Sequence, residues 1–350
     1  MGEGNRREWL ARLSLLAASL LMAGLLAEIG LRIVGYDEKY FNPLKSFHRA
    51  DPRIGYRGKP GFEGRFKRPD FDVLIVHNEA GFRRQEYRRP AASPAQRVFV
   101  FGDSTTWGWG VDQGRVFTDR MSLLMPGYEV TNFGLTGSST AQQYLLFEGA
   151  VRSMLVPGND VLVMFSGTDW NDNVQGRIPA FVDDDGAVQL GDPRGFGSPL
   201  RNAIGQRSYL ANFLSYSHNL WRARLRQAEG ARRALADIGA IPSGKSRQVA
   251  RDSPEYRIVR HLLGEFEQSC AERGARFIVA PVGAGKRILE VASELGIATV
   301  PIRPALKRAR DGGRIAGWTL GSDSHWNEEA HQIAAEVLAE SILREDAATR

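Results

Sequence analysis

Val98-Phe99-Val100-Phe101-Gly102-Asp103-Ser104 decides the fold. Four apolar residues run unbroken and stop at a glycine, the pattern of a strand buried on both faces. Strands of that kind belong to parallel sheets, which need crossover helices between successive strands. The downstream sequence supplies them. Phe117 to Met125 reads as a helix closed by Pro126 and Gly127, and Tyr128 to Phe133 as a second strand. Gln142 to Leu155 is helical, and Pro157-Gly158 leads into a third buried strand, Val161 to Phe165. Ile258, Leu262, Phe266 and Cys270 recur at helical spacing before a strand at Phe277 to Val282. Arg287 to Leu295 is helical again, and Ile297 to Ile302 closes the strand series. This alternation predicts a flavodoxin-like three-layer α/β/α sandwich of about five parallel strands.

Outward from that core the texture changes. Residues 37–95 read as an irregular lead-in, basic and dotted with Pro43, Pro52, Pro60 and Pro69. Residues 174–250 break the βα rhythm and read as an insertion near the mouth of the site, with a turn at Asp183-Asp184-Asp185-Gly186 and an amphipathic helix over Leu210 to Leu225. The main domain is expected over 96–346. Residues 1–36 form a third kind of segment, because Leu13 to Ala27 is uncharged and apolar all round. Three readings of it compete. A cleaved signal would want small residues two apart near its end, and Leu25 and Ala27 fit that poorly. A buried soluble helix would show a polar face. The favoured reading is one retained membrane helix, with Arg12 and Arg32 snorkelling at its ends. Arg6, Arg7 and Arg12 before it balance Arg32, Lys39 and Lys45 after it, so flanking charge does not orient it.

Hydrophobic residues make up 43% and charged residues 25% of the 350, which excludes a disordered or fibrous chain. The net charge of +6 comes without runs of Lys or Arg, so nucleic acid is not expected as a partner. One cysteine, Cys270, excludes an internal disulfide framework and a cysteine-based zinc site. His325 and His331 do not have HExxH spacing. Gly239-Ala240-Ile241-Pro242-Ser243-Gly244-Lys245-Ser246 satisfies the phosphate-loop pattern. The basic, helix-like run before it is not the strand such a loop requires, so no nucleotide is expected.

Sheets of this class bind ligands at the carboxyl ends of their strands. Polar clusters lie there: Gly102-Asp103-Ser104, Asn132 to Gly137, and Ser166-Gly167-Thr168-Asp169. A fourth, Ser322 to Asn327, precedes a final helix that Asn327 can cap. Any one serine or histidine among these would ordinarily be a turn residue. Together they contain the parts of a nucleophilic site. A serine hydroxyl attacks poorly until an imidazole takes its proton, and a carboxylate must orient that imidazole. Ser104, His325 and Asp323 are those three groups, while the Gly137 and Ser104 N–H groups can face an oxyanion.

With these blocks in this order, the chain resembles the SGNH (GDSL-type) hydrolase family over Arg97 to Leu343. Phe101-Gly102-Asp103-Ser104 is similar to its first block and Gly137 to the glycine of its second. Asp323-Ser324-His325-Trp326-Asn327 is similar to its last, and Asn78-Glu79-Ala80-Gly81-Phe82-Arg83 looks like a lead-in of membrane-anchored members. The resemblance implies Ser104 as nucleophile, His325 as base, Asp323 as its carboxylate, and no metal or organic cofactor. There are two departures. Thr168 stands where the third block has an asparagine oxyanion donor, and the last block is D-x-H where many members have D-x-x-H. The expected function is hydrolysis of an acyl ester, of a glycan or lipid, outside the cytoplasmic membrane. O-acyl transfer to an extracytoplasmic polysaccharide and a non-catalytic carbohydrate-binding module stand as alternatives. Trp107 and Trp109 are expected as core or wall, or as a stacking surface for sugar or acyl groups.

Overall fold

The computed structural model describes residues 3–34, 47–68, 71–83, 96–192, 208–211, 213, 214, 217, 249–283, 285–320 and 325–349. They divide into two compact units, Met1–Ser46 with Gly197–Lys245 and Phe47–Phe196 with Ser246–Arg350. In the first, helix α1 (Glu3–Ile33) carries an apolar stretch, Glu8–Ile33, of mean hydropathy 1.9. Its 26 residues rise about 39 Å, against about 30 Å of bilayer hydrocarbon. It is long and apolar enough to cross a membrane, a test that a signal sequence or a soluble core helix also meets.

The second unit opens on two antiparallel hairpins where the sequence reads as irregular: β1 (His48–Asp51) with β2 (Gly55–Gly58), and β3 (Glu63–Arg68) with β4 (Phe71–Val76). Pro52 sits in the first turn, so it breaks no strand. Phe66, Val73 and Ile75 are buried, while Arg65, Lys67 and Asp72 alternate with them, so the apolar signal is diluted along the chain.

The main sheet then follows in order. β5 (Gln96–Gly102) leads through α2 (Ser104–Trp107) and α3 (Phe117–Leu124) to β6 (Tyr128–Asn132), and α4 (Thr140–Ala150) leads to β7 (Asp160–Ser166). After α5 (Asp169–Gln175) a small hairpin, β8 (Ala180–Val182) with β9 (Val188–Leu190), turns at the predicted Asp183–Gly186. The chain resumes with α6 (Pro254–Ala271), β10 (Arg276–Val282), α7 (Arg287–Glu294), β11 (Ala298–Thr299), α8 (Arg303–Asp311) and α9 (Glu328–Thr349). The five strands lie in the order β11-β10-β7-β5-β6, all parallel. In chain order that is the flavodoxin-like 2-1-3-4-5, which reverses between β5 and β7.

Alternation along each strand builds two cores. Val98, Val100, Leu162 and Met164 face α3, α8 and α9 through residues such as Phe117, Leu306 and Leu338. Phe99, Phe101, Val161 and Val163 face α4, α6 and α7 through Phe147, Phe266 and Val291. Cys270, on α6, is fully buried in this second core.

Two predicted elements differ in extent. The helix expected over 142–155 runs Thr140–Ala150, because Ser139 and Gln142 form a capping box, and a 3₁₀ turn at Arg152–Met154 follows. The last strand shrinks to Ala298–Thr299, an edge pairing that Pro301 cannot extend. Of the helix expected over Leu210 to Leu225, residues 210, 211, 213, 214 and 217 are helical, as is Tyr209 before it, and the rest lies outside the described residues. The phosphate-loop-like Gly239 to Ser246 also lies outside them.

Candidate active site

Ser104 is the first residue of α2, at the carboxyl end of β5 and beside the reversal in strand order. Asp103 caps that helix, its carboxylate accepting the Thr105 N–H at 2.9 Å. The turn is tight because neighbouring backbone closes on it. A Cβ on Gly134 would fall 2.4 Å from the Trp107 nitrogen, so only glycine fits there. The Leu135 N–H and the Ser138 hydroxyl both donate to the Gly102 carbonyl, at 3.0 and 3.1 Å. The loop after β6 is thereby tied to the strand end that carries Ser104.

His325 comes from the segment before α9. Its Nε2 lies 2.7 Å from the Ser104 Oγ, across 221 residues of sequence. Backbone holds it there: the Leu320 N–H donates to its carbonyl at 2.8 Å, and Trp326 bridges Thr319. Asn327 accepts the Ala330 N–H at 2.9 Å, the expected cap of α9. The Trp109 ring stacks on the His325 imidazole at 5.1 Å between centroids and 21° between planes. Of the two tryptophans beyond Ser104, Trp107 is core, while Trp109 is half-buried beside the imidazole.

The other predicted residues are placed unevenly. Asp323 and its neighbours 321–324 lie outside the described residues. Gly137 follows β6 with a φ of +69°, a conformation that favours glycine, and is exposed. Thr168 follows β7 and is exposed, with its Oγ1 2.8 Å from the Ser166 Oγ. Asp172 also draws on the Thr168 hydroxyl, which has a single proton to give. Ser104, Gly137 and Thr168 therefore stand at the carboxyl ends of three adjacent strands.

Beneath them are two buried carboxyls. Burial pushes Asp103 up, against hydrogen bonds from Thr105 and Ser166 and the charge of His325. Asp169 is pushed well up by burial and then by the charge of Asp103. Its Oδ2 accepts the Ser166 N–H at 2.7 Å, while its Oδ1 has no partner. Two interacting carboxyls in so dry a place do not both ionise. His331, one turn into α9, is fully buried and accepts the Phe117 N–H at 3.1 Å. Burial, then the charges of Arg83, Arg120 and His325, hold it neutral, down to about 3. It is a structural histidine. Among the described residues, no three His, Cys, Asp or Glu side chains gather as a metal site would require.

Two contributors escape sequence reading. Tyr56 of β2 is buried and donates its hydroxyl to the Thr136 carbonyl, next to Gly137. Arg83 is fully buried and donates to the carbonyls of Trp107 and Leu74, at 3.3 and 3.2 Å, and to those of Gly108 and Val111. It holds the turn that carries Trp109. Arg83 ends the quoted lead-in motif, which was the only signal for it; for Tyr56 there was none.

No family model and no curated protein matches the chain. Solved structures do. A member of the lipolytic G-D-S-L family from Veillonella parvula aligns with 71% of this chain and 100% of its own, at 15% identity and a TM-score of 0.41. The acetylxylan esterase Axe2 from Geobacillus stearothermophilus aligns with 71% of this chain and 94% of its own, at 13% identity and a TM-score of 0.39.

Proposed function

We propose that the chain is a serine-dependent ester hydrolase of the SGNH (GDSL) type, held to the membrane by α1 with its catalytic unit outside the cytoplasm. The observation that carries this is the 2.7 Å approach of the Ser104 Oγ to the His325 Nε2 at the carboxyl end of β5. A hydroxyl and an imidazole at that distance can exchange a proton directly.

The steps follow from that pair. His325 takes the Ser104 proton as the Oγ attacks the ester carbonyl carbon. The tetrahedral oxyanion is met by the N–H groups of Ser104 and Gly137 and by Thr168. When the C–O bond breaks, His325 returns the proton to the departing alcohol, leaving an acyl-Ser104. Water, deprotonated by His325, attacks that ester and regenerates the serine. Asp323 orients the imidazole and stabilises its charged form. No step calls for a metal or an organic cofactor. The substrate class is an acyl ester of an envelope glycan or lipid. In this reading residues 1–36 are the anchor, 37–95 the lead-in and 96–346 the hydrolase domain.

A fluorophosphonate probe tests it. Adduct mapping should place the label on Ser104, and Ser104→Ala should abolish both labelling and ester hydrolysis. Labelling of another serine, or full activity in the variant, would sink the assignment.

A further inference from the structure

We propose that the segment starting at Ser208 is an interfacial element that docks on the anchor helix at Glu28 and takes the surface of an anionic bilayer as its partner. This holds only if α1 spans the membrane, the reading given above. Between residues 8 and 34, α1 is exposed except at Gly24, Glu28 and Leu31. Spacings of four and three put these on one stripe of the helix.

The segment covers that stripe. The Glu28 carboxylate accepts the Ser208 hydroxyl at 3.0 Å and the N–H groups of Tyr209 and Leu210 at 3.0 and 2.8 Å. Arg32 donates to the same carboxylate at 2.9 Å and lies 4.5 Å over the Tyr209 ring. Leu210 Cδ2 is 3.8 Å from where a Gly24 Cβ would be. A carboxylate at the edge of hydrocarbon is costly unless its hydrogen bonds are met, and here the segment meets them.

The depths agree with an interfacial position. Leu13 to Ala27, uncharged, rises about 22 Å of the roughly 30 Å of hydrocarbon, so Glu28 stands near the boundary, one turn inside the Arg32 end of the span. Leu210 touches the helix a turn deeper, at Gly24, and Tyr209 sits on the headgroup side beneath Arg32. An aromatic ring at the boundary with an aliphatic side chain below it is how interfacial segments sit. Phe213 and Leu214 continue the apolar surface, 38% and 57% exposed. Residues 201–247 hold nine Lys and Arg against Glu229 and Asp237, a net of +7, more than the +6 of the whole chain. The excess of positive charge in the sequence thus lies in the stretch that contains this segment, and charge complementarity then favours anionic headgroups as the partner.

The test uses the full chain in vesicles of phosphatidylcholine and phosphatidylglycerol. A polarity-sensitive fluorophore is placed at Phe213→Cys, with unsubstituted protein controlling for the buried Cys270. Nitroxide lipids labelled near the headgroup should quench it more than lipids labelled at the chain end, and aqueous iodide should quench it weakly. Glu28→Leu should abolish the nitroxide quenching while the protein still resists carbonate extraction. Strong iodide quenching with silent nitroxides, in carbonate-resistant protein, would overturn the interfacial placement, as burial against a protein partner would by silencing both. Quenching unchanged in Glu28→Leu would overturn the docking. Release of the protein by carbonate would instead overturn the membrane span itself.

Discussion

Replacing Arg83 with methionine should cost about 3 kcal/mol of stability, and the structure shows why. Methionine keeps much of the packing volume, so the change isolates hydrogen bonding and charge. The carbonyls of Trp107, Leu74 and Val111 lose their donor, while that of Gly108 keeps the Val111 N–H, and an orphaned buried carbonyl costs about 1–3 kcal/mol. In the other direction, burial pulls the guanidinium well below its ordinary value, down to about 10, so removing it relieves a desolvation cost on the order of 3 kcal/mol. The orphans win because no apolar side chain can satisfy backbone carbonyls that must stay in place. The assay is urea unfolding of the full chain in mild detergent, read by tryptophan emission, with unchanged slope against denaturant. Ester hydrolysis should fall further than the folded fraction does, since Arg83 holds the turn carrying Trp109. A loss below about 1 kcal/mol would refute the reasoning and assign the carbonyls other donors.

Three more expectations follow from the site and its supports. Thr168→Asn, which brings an amide with two donors, should keep or raise the acylation rate. Thr168→Val should lower it by up to about 2.7–4 kcal/mol in pre-steady-state kinetics, and no effect of either change would discard Thr168 as an oxyanion donor. Gly134→Ala should displace α2 through the Trp107 nitrogen 2.4 Å from the new methyl, so fluorophosphonate labelling of Ser104 should slow in protein that remains folded by circular dichroism. Burial holds His77 and His331 neutral, lowered from 6.5 to about 4 and about 3. In those windows the unfolded chain binds more protons, so stability is full above 6.5 and is lost as pH falls toward those values, by about 1.4 kcal/mol per unit for each group. Urea midpoints measured between pH 7 and pH 4 should show that slope, reduced in His331→Gln, and a flat profile would contradict it.

How much of this was legible in the sequence depends on where each contact's information lies. The five strands and their crossovers were readable because continuous apolar runs such as VFVF and VLVMF are local signals, and burial on both faces leaves no polar residue to blur them. Ser104 and His325 were readable as motifs, although 221 residues separate them, because each sits at a boundary between elements. The lead-in hairpins were not. Along β3 and β4 polar residues face water, and they mask an alternation carried by Phe66, Val73 and Ile75. The roles of Tyr56 and Arg83 were hidden for a further reason: apart from Gln113, which accepts from the Arg83 Nε at 3.2 Å, their hydrogen-bond acceptors are backbone carbonyls, which leave no trace in residue type. The docking of Ser208 on Glu28 lies beyond reading for the same cause, since two of its donors are main-chain N–H groups.

The stacking of Trp109 on His325 gives the molecule an optical readout of its own chemistry. A charged imidazole in van der Waals contact with an indole quenches its emission, whereas a neutral one does so weakly. The ring pair, 5.1 Å apart, therefore converts the protonation state of His325 into light. The chain has seven tryptophans, but the difference between native protein and Trp109→Phe isolates this one. Titrating that difference signal follows the imidazole without substrate, and a stopped-flow trace of it would time proton transfer during acylation independently of product release.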